Sequence, residues 1–357
     1  MSSLPAHQHF PVNKVQTNKE SVFSTLKTPL IFTLCTLALI ASLLFSLIAF
    51  SQFPLSLSDI WPLIFNPSGD SLNQQIIVEL RLPRTLVALL VGIAMSIAGL
   101  LMQGITRNPL ASPSVFGVSA GAAFAFAFSA TGLLPGLSHI PVIFITMTGA
   151  LLAGVLVFFL GGLHQKNANP IRVILAGVAL NYLCISMTRA AVIYADENAY
   201  GVMHWLIGSV SNSSIKDVYS MLPGTIFGVV IAILISHKLN LLRLGDEMLN
   251  SLGGNTQRLR MIASVATIVL IASAVSVAGP IGFIGLVVPH IARAIIGQDF
   301  RLLLPLCALL GATLMLISDS FSRIIRFPDD SPVGIITSAV GALFFLLLAL
   351  RQVRTTR

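Results

Sequence analysis

Acid–base, nucleophilic or metal chemistry in this chain of 357 residues would have to draw on 13 carboxylates, seven histidines and three cysteines. Cys35, Cys184 and Cys307 each sit alone inside an apolar run, with no pairing or metal-ligand spacing, and read as small core residues. None of the histidines (7, 9, 139, 164, 204, 237 and 290) has a carboxylate partner at helical spacing within an apolar run. That spacing removes the general acid–base pair an intramembrane hydrolase needs. No G-x-x-x-x-G-K-[ST] loop is present to cradle a nucleotide. The expectation is a chain with no catalytic residue, no cofactor and no metal of its own.

What remains is recognition, and four segments carry it. Arg81-Leu82-Pro83-Arg84 opens the second apolar run with two arginines three residues apart. Arginine pairs with Asp or Glu in a fixed fork, so the pair reads as an anchor for a carboxylate-bearing partner. Arg323, just beyond the ninth run, would complete it, and interfacial snorkelling is the alternative. The second segment, Met102 to Pro113, places two prolines and a polar cluster between runs. Irregular backbone at membrane depth needs protein or a water path around it, which suits Asn108 and Leu110 to a cytoplasmic gate. Gly117 and Gly121 read as a small-residue packing face. The third segment, Leu244 to Asn255, sets Leu244, Met248 and Leu252 at i, i+4 and i+8 on one short helical face. Asp246 and Glu247 stand near the start of that face, and Gly253-Gly254 stops it. Such a helix suits a groove on a partner; a solvated loop helix is the alternative. In the fourth, Gly279 to Arg293, Gly282 and Gly285 would let helices approach, Pro289 would bend the span, and His290 reads as a hydrogen-bonded structural residue.

These segments must be positioned by membrane-spanning helices. Hydrophobic residues make up 55% of the chain and charged ones 10%, with a mean hydropathy of +0.90, whereas soluble domains carry roughly 25% charge. Residues 28–58, 85–106, 108–163, 261–292 and 331–350 are charge-free, and a spanning helix needs about 20 apolar residues. Runs such as Val340 to Leu350 are apolar on all sides, which excludes the alternation of a transmembrane barrel. Cutting at Pro, Gly and charge gives ten spans: 28–50, 84–105, 113–131, 140–162, 171–193, 220–237, 259–278, 281–296, 302–318 and 332–350. The expected class is therefore an all-α polytopic membrane protein of about ten transmembrane helices. A polar cytoplasmic tail (1–27) would precede the transmembrane domain (28–350), whose cytoplasmic coupling loop spans 238–260, and a basic cytoplasmic end (351–357) would follow. The first run exceeds a signal-peptide core and reads as a retained helix.

Most Lys and Arg fall on the side of the two termini, which the positive-inside rule makes cytoplasmic. The net charge of +8 forms no basic face, so no nucleic acid is expected. Every carboxylate falls in a loop or at a span end in this division. An ion-coupled secondary transporter would place one inside the membrane, and is disfavoured.

Together the segments RLPRTLVALLVGIAMSIAGLLMQGITRNPLASPSVFGVSAGA, LGDE…SLGGNTQRLR, GPIGFIGLVVPHIAR and PVGIITSAVGALFF resemble the FecCD-type permeases of bacterial ABC importers for iron-siderophores and vitamin B12. Within that family, YADENAYGVMHWLIGSVSN, inside the stretch Ala191 to Ser213, looks most like the ferric-citrate permeases. Phe327 to Pro332 departs from the usual Pro-x-Glu-Leu-Pro, with Asp330 where many relatives have Glu.

The resemblance implies a type II importer permease in the bacterial inner membrane, moving a ferric-siderophore, with ferric citrate the candidate, by ATP-driven alternating access. Vitamin B12 or haem is the alternative cargo. Arg81, Arg84 and Arg323 match the arginines that receive a periplasmic binding protein. Asn108 and Leu110 match the gate, and Leu244, Asp246, Glu247, Met248, Leu252 and Gly253 lie in the helix that seats in the ATPase subunit. The partners implied are ATP-binding cassette ATPases, a periplasmic binding protein, a second permease subunit, identical or paralogous, and the lipid bilayer.

Overall fold

The computed structural model describes residues 19–51, 53–60, 62, 71–163, 165, 170–325, 327 and 329–355. Most of the expected N-terminal tail, residues 1–18, and the last two residues of the basic C-terminal end lie outside them.

Among the described residues the chain is helical throughout: α1 (Lys19–Ile48), α2 (Leu72–Ile76), α3 (Leu82–Thr106), α4 (Val118–Ala130), α5 (Val142–Leu160), α6 (Pro170–Tyr194), α7 (Ala199–Ile207), α8 (Ile215–Arg243), α9 (Asp246–Ser251), α10 (Thr256–Ala278), α11 (Ile284–Ile296), α12 (Phe300–Ile325) and α13 (Val333–Thr355). Seven helices are long and apolar enough to cross a membrane, and three shorter apolar ones (118–130, 284–296 and 333–348) stand where the remaining expected spans fall. Local signals set several starts. Ser214 and Asp217 form a capping box at α8, and the Asn255 side chain accepts from the Arg258 N–H at the start of α10.

Three boundaries differ from expectation in ways that matter. The helix carrying Arg81 and Arg84 starts at Leu72, because a π-helical turn, Ile77–Arg81, joins α2 to α3 without a break. The arginines therefore lie within the helical column instead of at its mouth. On α12, the helix continues through Asp319 and Arg323 to Ile325, so both residues belong to it. The coupling loop is shorter than 238–260, since α8 runs to Arg243 and α10 begins at Thr256.

α3 is the axis of the molecule: 83% of its spanning window is buried, against 72% for α10 and 11% for α1. It packs against α12, α10, α8 and α11. The close approaches use glycine pairs. A Cβ on Gly92 would lie 2.3 Å from the carbonyl oxygen of Gly311 on α12, and one on Gly99 would lie 1.7 Å from that of Gly285 on α11. With no solvent to drive helices together in lipid, such backbone contact is what association uses. Gly285 does what the sequence predicted, whereas Gly282 faces open space. Gly121 packs on Gly149 and Ala153 of α5, while Gly117 enters α4 at φ +65 and faces Val157 and Leu180 at ordinary contact distance, so it serves the turn as well as the packing.

Candidate functional site

Arg81, Arg84 and Arg323 come together, as expected, but around an acid the sequence reading left in a loop. Asp319 is fully buried in α12. Its carboxylate accepts from Arg84 Nε at 3.0 Å and Nη2 at 2.9 Å, and from Arg323 Nη2 at 2.5 Å one helical turn on. The fourth corner is Asp330, on the α12–α13 connection, which accepts from Arg84 Nη1 at 2.7 Å and remains about 41% exposed. Arg84 and Arg323 are therefore buried at 5% and 2% exposure and do not present their guanidiniums outward. Low dielectric favours this arrangement, because a buried guanidinium is tolerated only when paired.

The same arginines finish α1. Arg323 Nη1 donates to the Ser46 carbonyl at 2.7 Å, while Arg81 reaches the Ala49 and Phe50 carbonyls at 3.4 and 3.3 Å. These oxygens are the orphan acceptors at the helix end, where the dipole also favours cations. Ser46 and Thr85 share a buried hydrogen bond at 3.0 Å. Three arginines against two carboxylates leave one positive charge in excess, and Arg81 is the one whose side chain is not buried.

Some 35 Å away along α3, taking 1.5 Å per residue from Arg84 to Arg107, lies the second group. Arg107 ends α3 in the left-handed region, φ 51, and pairs with Asp246, the first residue of α9. Arg260, buried on α10, donates to both Asp246 oxygens at 3.1 Å. One carboxylate thus binds α9 to both neighbours. Burial first, and then the neighbouring Arg260 charge, push the Arg107 guanidinium below its usual value; it stays charged all the same. Beside it the Asn108 side chain accepts from the Leu110 N–H at 2.9 Å, and both residues are exposed.

α9 is six residues long. Leu244 precedes it as the last residue of α8's cap, so the expected i, i+4, i+8 face is not one continuous helix. Leu244, Met248 and Leu252 are nevertheless all exposed, at 61%, 46% and 59%, as is Glu247, while Leu249 is buried beneath. Gly253, at φ +77, donates to the Asn250 carbonyl, and Gly254 to that of Leu249 at 2.9 Å: a Schellman stop that only a residue free to turn left-handed makes without strain. His290 differs from expectation: it meets Phe344 edge-on at 5.5 Å, with no hydrogen bond among the described residues.

Asp319, Asp330, Arg107 and Arg260 were missed as site residues. The i, i+4 spacing of Asp319 and Arg323 was a visible signal; nothing local joins residue 84 to 319, or 107 to 246.

Membrane-length helices thus run between an arginine cluster at one end of α3 and, at the other, a short loop helix flanked by exposed apolar side chains. Residues 37–351 match the FecCD transport family, and the chain belongs to it. It is 38% identical over 323 residues to the Fe(3+) dicitrate transport system permease protein FecC of Escherichia coli, covering 90% of this chain and 97% of that one. It is 41% identical over 279 residues to the Fe(3+)-citrate import system permease protein YfmD of Bacillus subtilis, covering 78% and 82%. A solved structure described as an inward-facing conformation of a metal-chelate type ABC transporter superposes with a TM-score of 0.78 at 30% identity, over 90% of this chain and 99% of that one. The chain is accordingly the permease subunit of an ABC importer, and ATP hydrolysis belongs to a separate subunit.

Proposed function

We propose that this permease carries a ferric chelate of the citrate class across the bacterial inner membrane, both termini cytoplasmic, after delivery by a periplasmic binding protein. The observation that carries the cargo assignment is the similarity to two iron-citrate permeases over most of each chain. ATPases seat against Leu244, Met248 and Leu252, whose exposure on an otherwise polar loop supports a partner groove. Their motion reaches the gate segment through Asp246, because the same carboxylate holds Arg107 next to Asn108 and Leu110. A second permease, identical or paralogous, completes the path.

At the outer face the docking carboxylate meets Arg81, the arginine whose side chain is not buried, while Arg84 is taken up by Asp319 and Asp330. Arg323 and Asp319 support that surface from beneath. The energy source is the partner ATPase. Asp319 is a carboxylate inside a span, contrary to the expectation that every acid lies in a loop or at a span end; held by two guanidiniums, it has no free proton or cation site.

Uptake of radio-labelled iron in cells lacking and then regaining the gene tests the cargo. Restoration with ferric citrate alone supports the assignment. Restoration with another siderophore moves the cargo, and no iron phenotype redirects it to haem or vitamin B12. ATPase-dependent uptake in vesicles tests the energy source.

A further inference from the structure

We infer that the cavity between the loop-end termini of α3, α8, α11 and α12 is a binding site for a phosphate-bearing anion. Its volume is about 310 Å³, well above the roughly 10–15 Å³ of such space that a single water needs. Three arginines from three helix ends line it, Arg107, Arg243 and Arg293, with Gln103 and Gln298 between them and Phe300 as an apolar wall.

No carboxylate is among the lining residues. Arg107 shares Asp246, which approaches from α9. Among the described residues Arg243 donates only to the Gln298 carbonyl, at 2.7 Å. Arg293 forms no ion pair among the described residues, and its Nη2 is buried with no hydrogen-bond partner. The acid next in sequence, Asp299, accepts from the Asn240 amide at 2.6 Å and the Arg301 N–H at 2.9 Å; it lies within electrostatic reach of Arg243 but forms no ion pair with it, and Arg293 has no such carboxylate neighbour among the described residues. Gln103, 4% exposed, has its Oε1 unpartnered as well, and its Nε2 reaches the Gly285 carbonyl only at 3.5 Å. Its Nε2 is held by that carbonyl, so the unpartnered Oε1 is an acceptor, and the anion's contacts fall to the guanidiniums.

A buried guanidinium N–H without an acceptor is costly, and the cost disappears when an anion supplies one. Guanidiniums in a planar fork match phosphate oxygens in particular. Basic pockets between membrane helices at the cytoplasmic side hold phospholipid headgroups by this means. The two sources of such a phosphate are a lipid headgroup, which the Phe300 wall would suit, and the free ion. Either would contact Arg107, the residue that ties the coupling helix to the gate. The inference needs no cargo or receptor assignment, so it stands or falls separately from them.

The test uses the full chain assembled with its ATPase partner. After reconstitution into vesicles of phosphatidylcholine and phosphatidylglycerol, native mass spectrometry reads retained lipid. In parallel, the unfolding midpoint is measured in inorganic phosphate against chloride of equal ionic strength. Arg243 is exposed, so Arg243→Gln keeps the fold, and Arg293→Gln removes the orphaned group. If the headgroup is the ligand, phosphatidylglycerol adducts fall about tenfold in each variant. If the free ion is the ligand, phosphate raises the wild-type midpoint by about 3 °C and the rise is lost in both variants. Should Arg293→Gln fail to fold, Arg243→Gln and the wild-type titration decide. Adducts unchanged by Arg243→Gln, together with no phosphate-specific shift in the wild type, would overturn the site.

Discussion

Asp319 holds the arginine cluster together, since two guanidiniums lose their buried counter-charge if it is neutralised. Asp319→Asn is expected to cost about 3–5 kcal/mol, read as a fall in the unfolding midpoint of the purified chain. Asp330→Asn removes a partly exposed partner of the same arginine and should cost no more than about 1 kcal/mol. Comparable losses in both variants would refute the buried network. The same geometry separates docking from folding. Arg84→Glu would place a second carboxylate against Asp319 and should prevent assembly in the membrane, whereas Arg81→Glu should assemble normally and abolish receptor-dependent uptake. Normal uptake in Arg81→Glu would sink the docking role.

At the scale of elements, α9 joins two tasks that substitutions can divide. Leu244→Asp with Met248→Asp should release the ATPase from the purified complex, because their exposed apolar surface is what a groove would cover. Asp246→Ala leaves that surface in place but frees α9 from Arg107 and Arg260. The expected result is retained ATPase with much reduced uptake, and co-purification measured beside transport checks it. The stop of this element was legible, since Gly253-Gly254 after a helical pattern is a local signal. Its true length was not, because Leu244 caps α8 and Gly245 stands between it and the first residue of α9.

For the whole molecule, the glycine contacts along α3 decide whether the bundle closes. Gly99→Ala puts a methyl carbon where the Gly285 carbonyl oxygen stands, and neither backbone can yield without moving a helix. A loss of about 1–3 kcal/mol or more is expected, measured as lower yield and unfolding midpoint of folded protein. Gly136→Ala, at a position with open space around it, should change neither.

The sequence by itself determined the class and where the apolar helices fall, because apolar length, charge punctuation and capping residues act over a few neighbours. It also brought forward Arg81, Arg84 and Arg323 as one group. Only the tertiary structure decided what holds them. The partners of Arg84 lie 235 and 246 residues away, and Asp246 meets Arg107 across 139 residues. An Asp near the end of an apolar run looks solvent-exposed by sequence. It becomes a buried counter-charge once α12 runs a further turn and α1 and α3 close over it, since in a low dielectric only that pairing makes the burial of all three groups tolerable.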